Sequence, residues 1–304
     1  MSVRICRVVG AFLLAALACV PAGAQIVTHE TETLDFDRPE AWGMKYYASL
    51  ALLTSMGVPE TRKPGEVALG FEGGLVPQMS DAERRIGFNG TKLEDVNKTH
   101  VFGRIRAGVG LGAGVGLDLA WTPPIERGGA KPNLFAAALG RPFHIAPSWR
   151  LGVRGYGQIG NIKGDITCSA EEAAAGNDPD KNPYQCVEPS KDESRQKALG
   201  LEAVVGYDSG GRVKPYVGVA VTYMDLEFQV NALYGGGAID DHNLQLTSGT
   251  TVAATAGLTY APSARWRISG ELFYSWLEVV RPPATSAANE GFFNARVFVS
   301  YRVH

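Results

Sequence analysis

From Trp266 the chain alternates with a period of two. Trp266, Ile268, Gly270, Leu272, Tyr274 and Trp276 make one set, and Arg267, Ser269, Glu271, Phe273 and Ser275 the other. Successive strand residues point to opposite faces, so one face is apolar with aromatic tips and the other is mostly polar, charged or small. Trp266 and Trp276 stand ten residues apart, enough for a tilted strand to cross roughly 25 Å of hydrocarbon. Tyr and Trp favour the two membrane interfaces because an apolar ring carries a polar edge. Ten segments carry this signal: 65–73, 101–110, 113–122, 133–141, 148–160, 197–208, 214–226, 249–260, 265–278 and 291–303. The outward stripe reads Ala113, Val115, Leu117, Leu119 and Trp121 in the third, and Leu199, Leu201, Ala203, Val205 and Tyr207 in the sixth. The pattern predicts an all-β fold, an antiparallel transmembrane β-barrel of about ten strands, with eight or twelve the alternatives if an end segment is misassigned.

The connections check this independently. Those at 74–100, 123–132, 161–196, 227–248 and 279–290 are long, and those near 110–112, 142–147, 209–213 and 261–264 are short and rich in Gly, Pro and Ser. Strict alternation of long and short connections is the asymmetry of an outer-membrane barrel, with the long ones external and both chain ends periplasmic. A soluble sandwich or lipocalin-like barrel has similar stripes with the apolar face inward. The loop asymmetry, the end-placed aromatics and the charged second face argue for the membrane.

Composition sharpens the picture. Met1–Arg7 carries Arg4 and Arg7, residues 8–20 are apolar, and Ala22-Gly23-Ala24 precedes Gln25; this reads as a secretory signal over 1–24. Mean hydropathy is near zero at −0.05, and no later stretch is apolar for long enough to span as a helix. The formal charge of −2 becomes −4 when Arg4 and Arg7 leave with the signal, which gives no electrostatic case for nucleic acid. Of the four cysteines, Cys6 and Cys19 lie in the signal, and the remaining pair, Cys168 and Cys186, is expected to form a disulfide in an oxidising compartment.

With these features the chain, over roughly residues 65–304 and the signal, resembles bacterial outer-membrane β-barrel proteins as a class. The resemblance implies outer-membrane lipid as its surroundings and the barrel assembly machinery as a partner, and leaves any extracellular partner open. Phe293, Ala295, Val297, Val299, Tyr301 and Val303 supply the alternating C-terminal strand of such proteins, with His304 overhanging.

Residues 25–64 fall outside the barrel pattern and are expected to form an N-terminal periplasmic segment. Asp37 as N-cap, Pro39 and Glu40 in the first turn, and Gly57 before Pro59 predict a helix near 38–57 with a stripe of Trp42, Tyr46, Leu50 and Leu53. That stripe must be buried at the bilayer interface, against the barrel rim or inside the barrel as a plug.

The lumen-facing set holds the candidate chemistry: Glu66, Glu72, Arg104, Arg106, Asp118, Arg150, Arg154, Gln158, Glu202, Arg267, Glu271 and Arg296. Arginines there can select anionic or polar solutes in a small channel or uptake barrel, or simply pair with the carboxylates and seal the interior of a structural or surface-interaction barrel whose 74–100 and 161–196 loops contact partners. Asp240-Asp241-His242, in the fourth long connection, is similar to the Asp-x-His element of omptin proteases; by that resemblance His242 would activate water and Asp240 orient it. The facing aspartate pair of that family has no counterpart in the second long connection, where Glu126 is the only carboxylate. Asp178-Pro179-Asp180-Lys181-Asn182 begins like a calcium loop but has Pro183 where glycine is needed and Pro189 at the twelfth position. No cofactor or metal motif is present, and enzymatic chemistry is the weaker reading.

Overall fold

The computed structural model describes residues 25–303; the secretory signal expected over 1–24 and the overhanging His304 lie outside them. Ten long strands close into one antiparallel barrel. They are β1 (Val67–Leu75), β2 (Val101–Gly112), β3 (Val115–Thr122), β4 (Ala130–Ala146) and β5 (Trp149–Gly164). The second half comprises β6 (Asp192–Tyr207), β7 (Val213–Gln229), β8 (Leu244–Tyr260), β9 (Trp266–Trp276) and β10 (Phe292–Arg302). Each pairs with its neighbour in sequence, and β10 closes on β1 from Arg296↔Gly74 to Arg302↔Ala68. All ten predicted segments are strands.

The alternation decides which face meets lipid. Leu199 and Leu201 are 70% and 69% exposed, while Ala198 and Glu202 on the other face are buried. Leucines left bare on the outside and carboxylates hidden within exclude the inward-apolar barrel. Aromatic residues end the apolar stripes at both heights. Trp149 packs on Tyr207 at 5.2 Å and Trp266 on Tyr301 at 4.9 Å at the short-turn end, while Trp121 stacks on Phe135 at 6.0 Å at the other.

Strands β4 to β8 run several residues further toward the long connections than the sequence pattern indicates. Beyond the aromatic band the outward positions turn charged, so the apolar period ends while the backbone ladder continues to Glu193↔Gln229. On that extension Lys197 lies 3.5 Å from Asp225 and Arg195 3.6 Å from Glu227 across the β6–β7 ladder. Exposed pairs of this kind contribute only about 0–1 kcal/mol each. The Cys168–Cys186 disulfide lies in the connection between β5 and β6. Asn182 closes its loop, donating to Gly176 O and Cys186 O while accepting from Cys186 N. That side chain is therefore engaged in a turn and not free to ligate calcium.

Residues 25–64, expected to bury their apolar stripe at the bilayer interface, on the barrel rim or inside the barrel as a plug, run the length of the barrel as a plug. Ile26–Thr28 lies parallel to Ile239–Asp241, and Thr31–Thr33 parallel to Leu244–Leu246, both at the long-connection end. β9 ends at Trp276 opposite Val252, which leaves the upper edge of β8 open, and Thr31–Thr33 covers part of it. The chain then enters the lumen as helix α1 (Pro39–Leu50). Arg38, not Asp37, stands at the N-cap and makes no side-chain cap bond; Pro39 follows at a position where its missing N–H costs nothing.

α1 is buried around nearly its whole circumference because wall and loops surround it. Trp42 Nε1 donates to Glu290 O at 3.1 Å, Lys45 Nζ to Glu278 O at 2.7 Å, and Tyr47 OH to Val96 O at 3.0 Å. The helix ends at Leu50, well before the expected 57. Residues 51–56 cross the middle of the lumen without regular structure, because wall side chains take over the carbonyls that further helical turns would have used. Gly57, at φ +121°, then turns the chain where a Cβ would meet the Arg267 guanidinium and Thr259 Oγ1.

Candidate functional site: an arginine collar around the plug

The last carbonyls of a helix have no partners within it and carry the negative end of its dipole. Here the barrel wall supplies the donors. Arg296 donates from Nη1 to Leu52 O at 2.8 Å and from Nη2 to Leu50 O at 3.2 Å and Ser49 O at 3.3 Å. Arg104 donates to Ala51 O at 2.7 Å and Leu52 O at 3.1 Å. Arg154 reaches Leu53 O and Arg267 reaches Met56 O, each at 2.7 Å. A guanidinium suits this task because its planar fork serves two acceptors and it stays charged when buried.

The charges are balanced from behind. Glu72 accepts from Arg104 Nε at 2.9 Å and Arg106 Nη1 at 2.8 Å, and Glu202 accepts from Arg154 Nη1 at 2.8 Å. Glu202 also takes the Ser55 N–H at 3.1 Å. Glu271 accepts from Thr54 Oγ1 at 2.6 Å and Tyr216 OH at 3.1 Å. Arg296 additionally lies 4.1 Å from the centre of the Phe273 ring. Buried ions are tolerable only with such multiple partners. At this level the lumen is filled.

Toward the short turns the segment leaves the collar through a second set of ion pairs. Arg62 Nη1 meets Asp118 Oδ1 at 3.2 Å, and Glu60 lies 3.5 Å from Arg302 and 3.9 Å from Arg267. A cavity of 410 Å³ opens beside Pro59 and Glu60, lined also by Arg150, Asp208 and Lys214. Burial alone would raise the Glu60 carboxyl, but Arg267, Arg62 and Arg302 together hold it below its usual value.

Arg104, Arg106, Asp118, Arg154, Glu202, Arg267, Glu271 and Arg296 therefore all face inward, with Glu72 and Gln158. Glu66 and Arg150 sit at the short-turn rim, paired with Arg302 at 2.7 Å and Asp208 at 3.3 Å. The acceptors of the collar, the main-chain carbonyls of Ser49–Met56, were not legible as a site, because a carbonyl has no residue signature. The polar pair Thr54-Ser55 directly after an apolar helix was the available hint.

At the other end, His242 Nε2 lies 3.0 Å from Asp240 Oδ1 and its Nδ1 3.0 Å from Asn231 Oδ1, while its ring stacks on His29 at 5.0 Å. The pair is real, but its partners are a loop asparagine and the ring of the N-terminal segment. Neither a second carboxylate nor a nucleophile bonds to it among the described residues. Within those residues no cluster of three His, Cys, Asp or Glu could hold a metal.

The sequence model of the Opacity family porin proteins matches residues 147–290, just under half of the chain. Among solved structures, the attachment invasion locus protein Ail of Yersinia pestis is 12% identical, covering 79% of this chain and 99% of its own, at a TM-score of 0.32. An outer-membrane channel from Pseudomonas putida F1 is 11% identical, covering 82% and 100%, at 0.44. The translocator domain of the autotransporter NalP from Neisseria meningitidis is 10% identical, covering 80% and 90%, at 0.40. No curated sequence relative matches. The chain folds as a closed ten-stranded antiparallel β-barrel and is similar to bacterial outer-membrane β-barrel proteins, the class-level resemblance seen in its sequence.

Replacing Arg154 by Met strands Glu202 and the Leu53 carbonyl together. The expected loss is about 3–5 kcal/mol, read from urea unfolding in detergent micelles, with faster amide exchange over 49–56. The Arg154→Met/Glu202→Gln double variant should recover part of it; an additive double variant would refute the coupling. The lowered Glu60 group contributes stability above its unfolded pKa, which is lost as pH falls through its folded value. Acidification should therefore loosen residues 57–62 first, as read by amide exchange. An identical pH profile in Glu60→Gln would refute this.

Proposed function

We propose that this protein is a plugged outer-membrane passage for small solutes, with residues 34–62 as its removable stopper. The carrying observation is that arginine–carbonyl hydrogen bonds hold the Ser49–Met56 stretch of the stopper to the mid-lumen wall, beside an apolar cluster that Leu52 and Leu53 share with wall residues such as Met224 and Phe273. Water or a solute rich in oxygen acceptors can replace such bonds one for one. With the stopper displaced, Arg104, Arg106, Arg154, Arg267 and Arg296 would line the opening against Glu72, Glu202, Glu271 and Asp118. Polar and anionic solutes follow from that lining. The alternative, a sealed barrel that acts through its long loops, is favoured by the closeness of the fill.

The orientation is part of the proposal. With the long connections outward, Gln25–Thr33 lies at the cell surface and Gly57–Glu66 faces the periplasm. This reverses the periplasmic placement expected for the N-terminus, since the segment enters the barrel from the long-connection end.

Ser49 and Ser275 touch through their hydroxyls at 3.3 Å, so cysteines at both positions should lock the stopper to the wall. In planar bilayers the full-length protein should show brief conductance steps, the oxidised Ser49→Cys/Ser275→Cys protein none, and the reduced one steps again. A variant lacking residues 25–60 should conduct continuously. Silence of all of them would favour the sealed barrel. An epitope inserted after Gln25 should bind antibody on intact cells; binding only after permeabilisation would reverse the orientation.

A further inference from the structure

We propose that the barrel wall carries a lateral site for a single-chain anionic amphiphile, such as a long-chain carboxylate, entered from the lipid-facing side. The origin of the site is a strand that is too short. β3 stops at Thr122, and Pro123 and Pro124 follow, neither of which can donate to a sheet ladder. Pairing of β2 with β3 starts at Ile105↔Trp121, and pairing of β3 with β4 at Thr122↔Leu134. Above that height Val101–Arg104 pairs only with β1, and Ala130–Asn133 with β5, apart from a single bridge between Ala130 and Arg127 of its own connection. The wall is one strand short there, and a notch opens between β2 and β4.

A cavity of 960 Å³ occupies the notch, at the upper end of the size range of small-molecule sites. Its inner wall is the plug: Tyr47, Leu50 and Ala51. Tyr47 is the one side chain of α1 that is not fully buried, and its hydroxyl is already spent on Val96 O, so it turns an apolar ring to the cavity. The mouth includes Val101, Ile105 and Ile125, all exposed and continuous with the lipid-facing stripes of β1 and β2. A hydrocarbon chain can thus move from the bilayer into the cavity without crossing water, and that continuity identifies the occupant as an amphiphile of the membrane phase.

Height and charge identify its head. Trp121, at the top of β3, belongs to the upper aromatic band, which marks the membrane interface where headgroups lie. Two cations line the cavity. Lys98 is engaged by Asp95 at 2.6 Å and Asp165 at 2.7 Å. Arg127 is exposed and has no ion-pair partner among the described residues. One free guanidinium at the mouth of an apolar chamber suits a carboxylate with its chain inside. This site goes beyond the passage reading and stands whether or not the lumen conducts.

The test uses the full-length protein in phosphatidylcholine nanodiscs, titrated with 11-(dansylamino)undecanoic acid and read by energy transfer from protein tryptophan. Saturable one-to-one binding is expected, displaced by dodecanoate at least tenfold more effectively than by dodecanol. Ala51→Phe should abolish binding by filling the chamber. Arg127→Glu, which changes an exposed side chain and keeps the main-chain bridge to Ala130, should weaken dodecanoate about tenfold and leave dodecanol unchanged. Partition no greater than into empty nanodiscs overturns the proposal, as does saturable binding indifferent to both substitutions. A phospholipid retained through purification, detected by mass spectrometry and blocking the probe, also overturns it, making the occupant bilayer lipid. Binding without conductance steps would remove only the passage, and steps without binding only this site.

Discussion

Everything inside this barrel depends on pairing buried guanidinium groups with buried peptide carbonyls. Neither partner is tolerable alone: an unpaired peptide carbonyl in a dry interior costs about 1–3 kcal/mol, and an unpaired buried ion more. Arg104, Arg154, Arg267 and Arg296 come from four different strands and converge on one stretch of main chain, Ser49 to Met56. The helix stops where they begin, because the arginines satisfy the carbonyls that would otherwise demand another helical turn. The same convergence fixes the height of α1 and leaves its Trp42, Lys45, Tyr46 and Tyr47 level with the loops that they bond.

The wall obeys a different constraint. Its backbone groups must pair around a closed ring because lipid offers no hydrogen bonds, and its outward residues need only be apolar. The wall is therefore held by its ladder and the bilayer, and the stopper by charge-assisted bonds within the lumen together with the apolar cluster that it shares with the inner wall. This division is what makes a removable stopper physically reasonable. Where the ladder lapses, beside the short third strand, the consequence is local: a notch that exposes one flank of α1 to the membrane side.

The long connections join the two systems. The N-terminal strands cover the free edge of β8, and Arg281 bonds both Glu290 and the main chain at Glu83 and Arg85, tying the last long connection to the first. Asp240 and His242 belong to this cap. Their contact is the geometry of a catalytic pair, yet its surroundings are those of a structural one, since His29 packs on the imidazole and Asn231 holds its other nitrogen.

The sequence alone determined the wall. A strand side chain has only two directions, so Leu199, Leu201, Trp266 and Trp276 on one parity and Arg154, Glu202 and Arg267 on the other were enough to assign ten strands and both faces. The turns followed because their glycines, prolines and serines are local signals, and the disulfide because only two cysteines remain beyond the expected signal. Tertiary structure alone decided the path of residues 25–64, the early end of α1 and the partners of the arginines. Those depend on main-chain carbonyls, which every residue carries alike, and on contacts between positions more than two hundred residues apart, such as Met56 with Arg267. The notch was hidden for a related reason. A strand that ends one turn early leaves the period of its own residues intact, and the gap exists only between its neighbours.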